Sequence, residues 1–264
     1  MTGLQLLVLA LVQGISEFLP VSSSAHLALL GQLVEGWHDQ GLAFDAAVHV
    51  GTLLAVCLYF RADLVTLLAG SVGPRPDPAQ RRLLIALGLA SVPVLAAGAL
   101  LADWIEQVLR NPLLIGVTTV VFGALLGLAD VLGRQRRAFD AIGWRDALVI
   151  GLAQVLALVP GTSRSGITIT AARALGLGRE AAARFSFLLS IPVILAAGGW
   201  GFVRGLAEGG GFEVGQFFAG AVLSGLTAWL TIAVFMGWIR HHGLMPFVIY
   251  RLLLGGVLIW WFWP

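Results

Sequence analysis

Lysine is missing altogether from this chain, whose 16 basic residues are all arginine. An all-arginine set favours planar, fork-like recognition of phosphate or carboxylate over the point charge of an ammonium. Charge of either sign is scarce: 11% of the 264 residues are charged and 58% hydrophobic, for a mean hydropathy of +0.92. A soluble domain would carry roughly a quarter charged residues, so a soluble enzyme is excluded. A nucleic-acid partner is excluded with it, since that needs a solvated basic surface. Cysteine occurs once, as Cys57 inside an apolar run. No intrachain disulfide can form, neither redox chemistry nor a thiolate metal site is expected, and Cys57 reads as packing. The opening Met-Thr-Gly-Leu-Gln lacks the basic flank of a signal peptide, so no cleavable leader is expected.

What the chain does have is long apolar runs. Stretches able to span a bilayer occur at about 46–60, 83–102, 112–132, 185–203, 214–238 and 246–263, predicting six transmembrane helices in an all-α polytopic protein. Two further apolar pieces, 4–12 and 147–159, would reach only about 14 and 20 Å at 1.5 Å per residue. Each is expected to form one arm of a re-entrant helical hairpin, ended by Pro20 or Pro160, with the hydroxyl cluster that follows capping a second short helix.

Laying Pro20 on Pro160 brings Ser23 onto Ser163 and Phe44 to within one residue of Phe185, and after a loop-length difference Asn111-Pro112 pairs with Met245-Pro246. The chain therefore reads as one integral membrane domain, 1–264, built from two repeats at about 1–132 and 146–264. One hairpin and three spans per repeat is an odd number of crossings, which requires an inverted-topology repeat whose hairpins enter from opposite faces and meet near the midplane. Arginine is distributed unevenly across the predicted spans. One side collects Arg61, Arg75, Arg81, Arg82, Arg134, Arg136, Arg137, Arg145, Arg173, Arg179, Arg184 and Arg240, the other only Arg110 and Arg204. The arginine-rich side is expected to be cytoplasmic, with both termini, the first hairpin and the Trp260, Trp261 and Trp263 cluster outside.

Polar side chains at bilayer depth mark a site. Gln13 and Glu17 share a helix face four residues apart. Beyond Pro20 come Ser22, Ser23, Ser24 and His26, where a buried acid and hydroxyls raise the histidine above a packing role. In the second repeat Gly161 and Gly166 permit close backbone approach, Thr162, Ser163 and Ser165 offer hydroxyls, Thr168 follows one turn on, and Arg164 brings the cation. Two half-helix N-termini converging beside an arginine should bind an oxyanion. Asp45 and His49, four apart, read as interface hydrogen bonding. Arg251, buried in the last span, could pair with Glu17 or with backbone carbonyls.

Gln-x-x-x-Glu with Phe-Leu-Pro-Val-Ser-Ser-Ser-Ala-His, followed in the second half by Pro-Gly-Thr-Ser-Arg-Ser-Gly, resembles the bacterial undecaprenyl-diphosphate phosphatase, or bacitracin-resistance protein, family over nearly the whole chain. Two positions depart from its pattern: Gln13 stands where many members carry Glu, and Ser24-Ala25 replaces a more usual Thr-Gly. The resemblance implies hydrolysis of undecaprenyl diphosphate to undecaprenyl phosphate and phosphate in the bacterial cytoplasmic membrane, recycling a cell-wall lipid carrier and conferring bacitracin resistance. It implies Glu17, Ser23, His26 and Arg164 as catalytic, and a divalent cation, Mg2+ or Ca2+, at Glu17 and Gln13. Ser22, Ser24, Thr162, Ser163, Arg164, Ser165, Gly166 and Thr168 would bind the diphosphate. Attack by Ser23, by His26 or by water all stay open.

A lipid-carrier flippase or anion transporter is the rival, because inverted repeats with broken helices are also how carriers build a substrate site. The other integral-membrane lipid phosphatase signature needs a lysine and a histidine after Ser-Arg, and neither is present. The polyprenyl tail would need an apolar groove opening to membrane lipid on the outer side. Small-residue spacings such as Gly123 with Gly127 allow close helix contacts and leave a homodimer open.

Overall fold

In the computed structural model the described residues are 2–33, 42–109, 111–133, 137–207 and 213–263. Arg110, Arg134, Arg136 and the side chain of Ser24, all singled out in the sequence, lie outside them. The described residues are helical apart from short turns, two 3₁₀ turns at Phe139–Ala141 and Leu156–Leu158, and an isolated bridge between Arg137 and Leu177.

Among the described residues five helices are long and apolar enough to cross a membrane: α5 (Pro78–Val108), α6 (Pro112–Leu132), α9 (Arg179–Ala207), α10 (Val214–Ile239) and α11 (Met245–Phe262). Local chemistry sets their starts. Asp77 accepts from Ala79 N ahead of Pro78, and Asn111 accepts from Leu113 N and Leu114 N ahead of Pro112, so an Asx cap and a proline in the first turn satisfy orphan amides at no cost in lost donors. The sixth crossing differs from the sequence expectation of a plain helix over 46–60. Helix α3 (Leu42–Tyr59) breaks at Phe60 and bends by 73° into α4 (Arg61–Val72). Asp63 on α4 pairs with Arg184 on α9 at 2.6 Å, which fastens the bent arm to the bundle.

Besides the bent arm α4, four helices among the described residues are too short to span. They are α1 (Gly3–Ser16), α2 (Ser23–Leu33), α7 (Trp144–Val155) and α8 (Arg164–Ala174). They form two pairs, α1 against α2 and α7 against α8, each interrupted by a turn at Pro20 or Pro160. Helix α1 runs four residues beyond the expected 4–12, and Glu17 N donates to Gln13 O at 3.0 Å, so the Gln13/Glu17 face is helical as the spacing predicts.

The packing partners repeat between the halves. Helix α1 packs on α10 and α7 on α5; α3 packs on α10 and α9 on α5; α6 lies against α11. In this last contact Gly116, Gly123 and Gly127 face Leu258, Arg251 and Val248. The glycine stripe left open for a homodimer is thus covered within the chain. A phenylalanine chain, Phe18, Phe187, Phe235 and Phe247, with centroids 5.2–5.6 Å apart, runs through the core beneath the site. Leu128, Leu226, Val234, Leu253 and Trp260 point outward, as lipid-facing residues do.

Candidate functional site

The two interrupted pairs meet at their turns. Ser165 Oγ donates to Leu19 O at 2.9 Å, and Arg164 Nη2 reaches Glu17 Oε1 at 3.1 Å, so residues 147 positions apart meet in one polar cluster. Both side chains are nearly buried, at 12% and 9% exposure. A buried ion pair of this kind is held by what else its members bind. Glu17 Oε2 accepts from Gln13 Nε2 at 2.9 Å, Arg164 Nη1 donates to Ser186 O at 3.0 Å, and the guanidinium stands 5.8 Å from the centre of the Phe18 ring. The two donors expected to grip one anion in parallel are divided here between Glu17 and a backbone carbonyl.

His49 joins the same network, where the spacing had suggested interface bonding with Asp45. Its Nδ1 lies 2.7 Å from Asp45 O, an acceptor only, so Nδ1 carries the proton. Its Nε2 is left as acceptor for Gln13 Nε2 at 3.3 Å. Gln13 therefore spends both amide protons, on Glu17 and His49, while its Oε1 is buried with no partner. A helix-face pattern could place Gln13 with Glu17 but carried no signal for His49, which comes from another helix.

Ser22 and Ser163 both hold positive φ, 75° and 71°, immediately before α2 and α8, and each Oγ accepts from the amide three residues on: Ala25 N at 3.4 Å and Gly166 N at 3.1 Å. The left-handed conformation is uncommon outside glycine and carries a cost in backbone strain at both turns. This shared geometry pairs Ser22 with Ser163, where the sequence laid Ser23 on Ser163. The one-residue difference equals the offset between Phe44 and Phe185. It also aligns Gln13 with Gln154, buried on α7 and donating to Ala90 O at 3.2 Å.

Around these turns Ser163 Oγ lies 3.2 Å from Ser165 Oγ, and Thr168 Oγ1 lies 2.7 Å from Ser186 Oγ. Thr162 Oγ1 is buried without a partner, and Ser23, half-buried, opens α2 with no side-chain hydrogen bond among the described residues. His26 donates from Nδ1 to Ser22 O at 2.7 Å, and its Nε2 accepts from Tyr250 Oη at 2.5 Å. Tyr250 and Ser186 had no motif to announce them. Both reach the site from spans that read as plain membrane helix. Arg251 resolves in favour of backbone carbonyls and not Glu17.

A buried carboxylate, two hydroxyl-lined helix starts and an arginine make a cluster of mixed charge whose chemistry suits a phosphate ester or anhydride. Among the described residues no three of His, Cys, Asp and Glu converge as a metal cluster. Residues 6–257 match the family described as Bacitracin resistance protein BacA. The chain is 50% identical to an undecaprenyl-diphosphatase of Alcanivorax borkumensis, covering 99% of both chains. It is 52% identical to those of Hahella chejuensis, over 98% of both, and Chromohalobacter salexigens, over 99% of both.

Proposed function

Because the chain belongs to the Bacitracin resistance protein BacA family, we propose that it is a bacterial undecaprenyl-diphosphatase, the activity for which its relatives are named. It hydrolyses undecaprenyl diphosphate to undecaprenyl phosphate and inorganic phosphate in the cytoplasmic membrane. That reaction returns the lipid carrier to cell-wall synthesis and gives bacitracin resistance. The observation that carries the reading is the Arg164–Glu17 pair at 3.1 Å between the two hydroxyl-lined turns. Phosphoryl transfer needs charge neutralisation and in-line positioning more than covalent chemistry, and this pocket supplies groups for both.

Arg164, with Ser163, Ser165 and Thr168 around it and Ser22 and Thr162 on the two turns, would hold the diphosphate. A divalent cation, Mg2+ or Ca2+, fits beside them: Gln13 Oε1 is a buried oxygen with no partner, adjacent to the Glu17 carboxylate. An ion taking one carboxylate, one amide oxygen, phosphate oxygens and water matches the preference of Mg2+. Bound there it would neutralise charge on the phosphates. Among the described residues the hydroxyl of Ser23 makes no hydrogen bond, whereas His26 Nε2 is engaged by Tyr250. This favours Ser23 or water over His26 as the attacking group. Attack by Ser23 forms an O–P bond to the terminal phosphoryl and breaks the bridging P–O bond, expelling undecaprenyl phosphate; water then cleaves the phosphoserine. A phosphoenzyme trapped by rapid quench separates this route from direct hydrolysis.

The proposal places both termini and the pocket opening on the outer side, with an inverted repeat relating the halves. The exchanged packing of α1 on α10 and α7 on α5 supports the repeat, and the gathering of ion-paired arginines on one side supports the orientation. A homodimer would use a face other than the α6 glycine stripe. The first experiment is phosphate release from undecaprenyl diphosphate by detergent-purified protein, with and without EDTA, beside Glu17→Gln. Release that needs the metal and falls by about 100-fold or more in the variant is expected, the scale for loss of one transition-state electrostatic contact. Lipid binding without release in the native protein would replace the enzyme with a carrier or flippase.

A further inference from the structure

Arg251 belongs to neither motif, yet it lies where both turns converge. It sits in the middle of α11 with no exposed surface. Its Nη2 donates to Gly161 O and Thr162 O, both at 2.9 Å, its Nε to Thr119 O at 3.2 Å, and its Nη1 lies 3.5 Å from Pro20 O. One guanidinium therefore touches the first turn, the second turn and α6. Among the described residues it has no carboxylate partner, so its charge is balanced by carbonyl dipoles alone. The room for it is built in. A Cβ at Gly166 would come within 2.6 Å of Nη1, and one at Gly123 within 2.9 Å of the Arg251 Cβ, so the side chain threads between two glycines that any larger residue would close. The second turn receives further donors from α6, Thr118 Oγ1 to Pro160 O at 2.6 Å and Thr119 Oγ1 to Gly161 O at 3.4 Å.

We infer that Arg251 is a positioning residue for the reaction: it locks the backbone of the two turns against each other, so that Ser22 and Ser163 keep their left-handed conformations. It also makes the pocket net cationic. Glu17 and Arg164 cancel, and Arg251 is the charge left over. This rests on the diphosphatase reading for its kinetic consequence but not for its structural one. A planar fork can serve carbonyls on three segments at once, which the single ammonium of lysine cannot. A purely structural buried arginine would instead be spread through the fold in its effects.

The test uses Arg251→Lys and Arg251→Met in the full-length protein in detergent. Kinetics with undecaprenyl diphosphate are read beside hydrogen exchange by mass spectrometry. Expected are a fall in kcat of about 100-fold in both variants, the scale on which misplacement of about 1 Å acts, and faster exchange confined to peptides covering 17–26 and 159–168. Wild-type kcat in Arg251→Lys, or exchange in either variant that is unchanged at both turns or raised throughout the bundle, overturns the inference. If the wild-type protein releases no phosphate, the diphosphatase reading fails while the exchange comparison still decides whether Arg251 holds the turns.

Discussion

Tyr250 is the residue whose role follows most directly from hydrogen-bond accounting. The carbonyl of Ser22 can only accept, so His26 donates to it through Nδ1 and must present Nε2 to the Tyr250 hydroxyl. The Ser22 carbonyl thereby sets the tautomer of His26, and the tyrosine hydroxyl and ring hold its ring plane. Tyr250→Phe keeps the ring stacked on His26 and removes only the hydroxyl. A hydrogen bond of this type contributes about 1 kcal/mol, so kcat/KM for undecaprenyl diphosphate should fall several-fold, to about a fifth. An unchanged kcat/KM would assign the pair to packing.

Among the elements, α8 is held at both ends. Arg164 at its start pairs with Glu17, and Arg173 in its last turn, fully buried, meets Asp130 Oδ1 of α6 at 3.4 Å and donates to Asp130 O and Gly133 O. Asp130 also takes Arg179 of α9 at 2.6 Å and the amide of Leu244 at 3.0 Å. The paired helix α7 is anchored by Arg137, which grips both oxygens of Asp146 at 2.7 Å while Asp146 Oδ2 accepts from Gly143 N. The Arg137 hydrogen bonds and charge, with the Gly143 amide, hold the Asp146 carboxyl below the usual carboxylate range. A carboxylate with a depressed folded-state pKa stabilises above its unfolded value, about 4, and loses that contribution as pH falls through the folded value. Asp146→Asn should therefore lower the melting temperature in detergent at pH 7, by an amount matching about 1 kcal/mol for a partly exposed pair. The gap between variant and wild type should narrow as the pH falls below about 4 and close once it passes the lower folded value; a gap that stays constant throughout that fall would show that the pair is not its origin.

At the scale of the whole molecule, the ion pairs define one face. Asp130 with Arg173 and Arg179, Arg240 with Glu180, and Arg137 with Asp146 join ends of α6 to α10 on the side that the arginine count assigns to the cytoplasm. Cys57 is the lone thiol, so a Cys57→Ser background gives a clean reporter. Cysteine placed at Arg75 should react with an impermeant maleimide only in inside-out vesicles, and cysteine at Trp263 only in right-side-out ones. The reverse pattern would invert the protein and open the pocket to the cytoplasm.

Sequence alone determined the membrane class, the six apolar runs and the two short interrupted segments with their polar turns, because hydropathy, proline breaks and helix-face spacing are local signals. It placed Glu17 with Gln13 correctly for the same reason. The bend at Phe60 escaped it, since α3 and α4 read as an apolar run followed by an ordinary loop. So did the one-residue register between the turns, which depends on backbone dihedrals that serine codes do not reveal. Only the tertiary structure could bring Arg164 to Glu17, His49 to Gln13, Tyr250 to His26 and Arg251 to the carbonyls of both turns. These contacts join residues 36 to 231 positions apart. Their geometry is set by how the helices pack and not by any spacing along the chain.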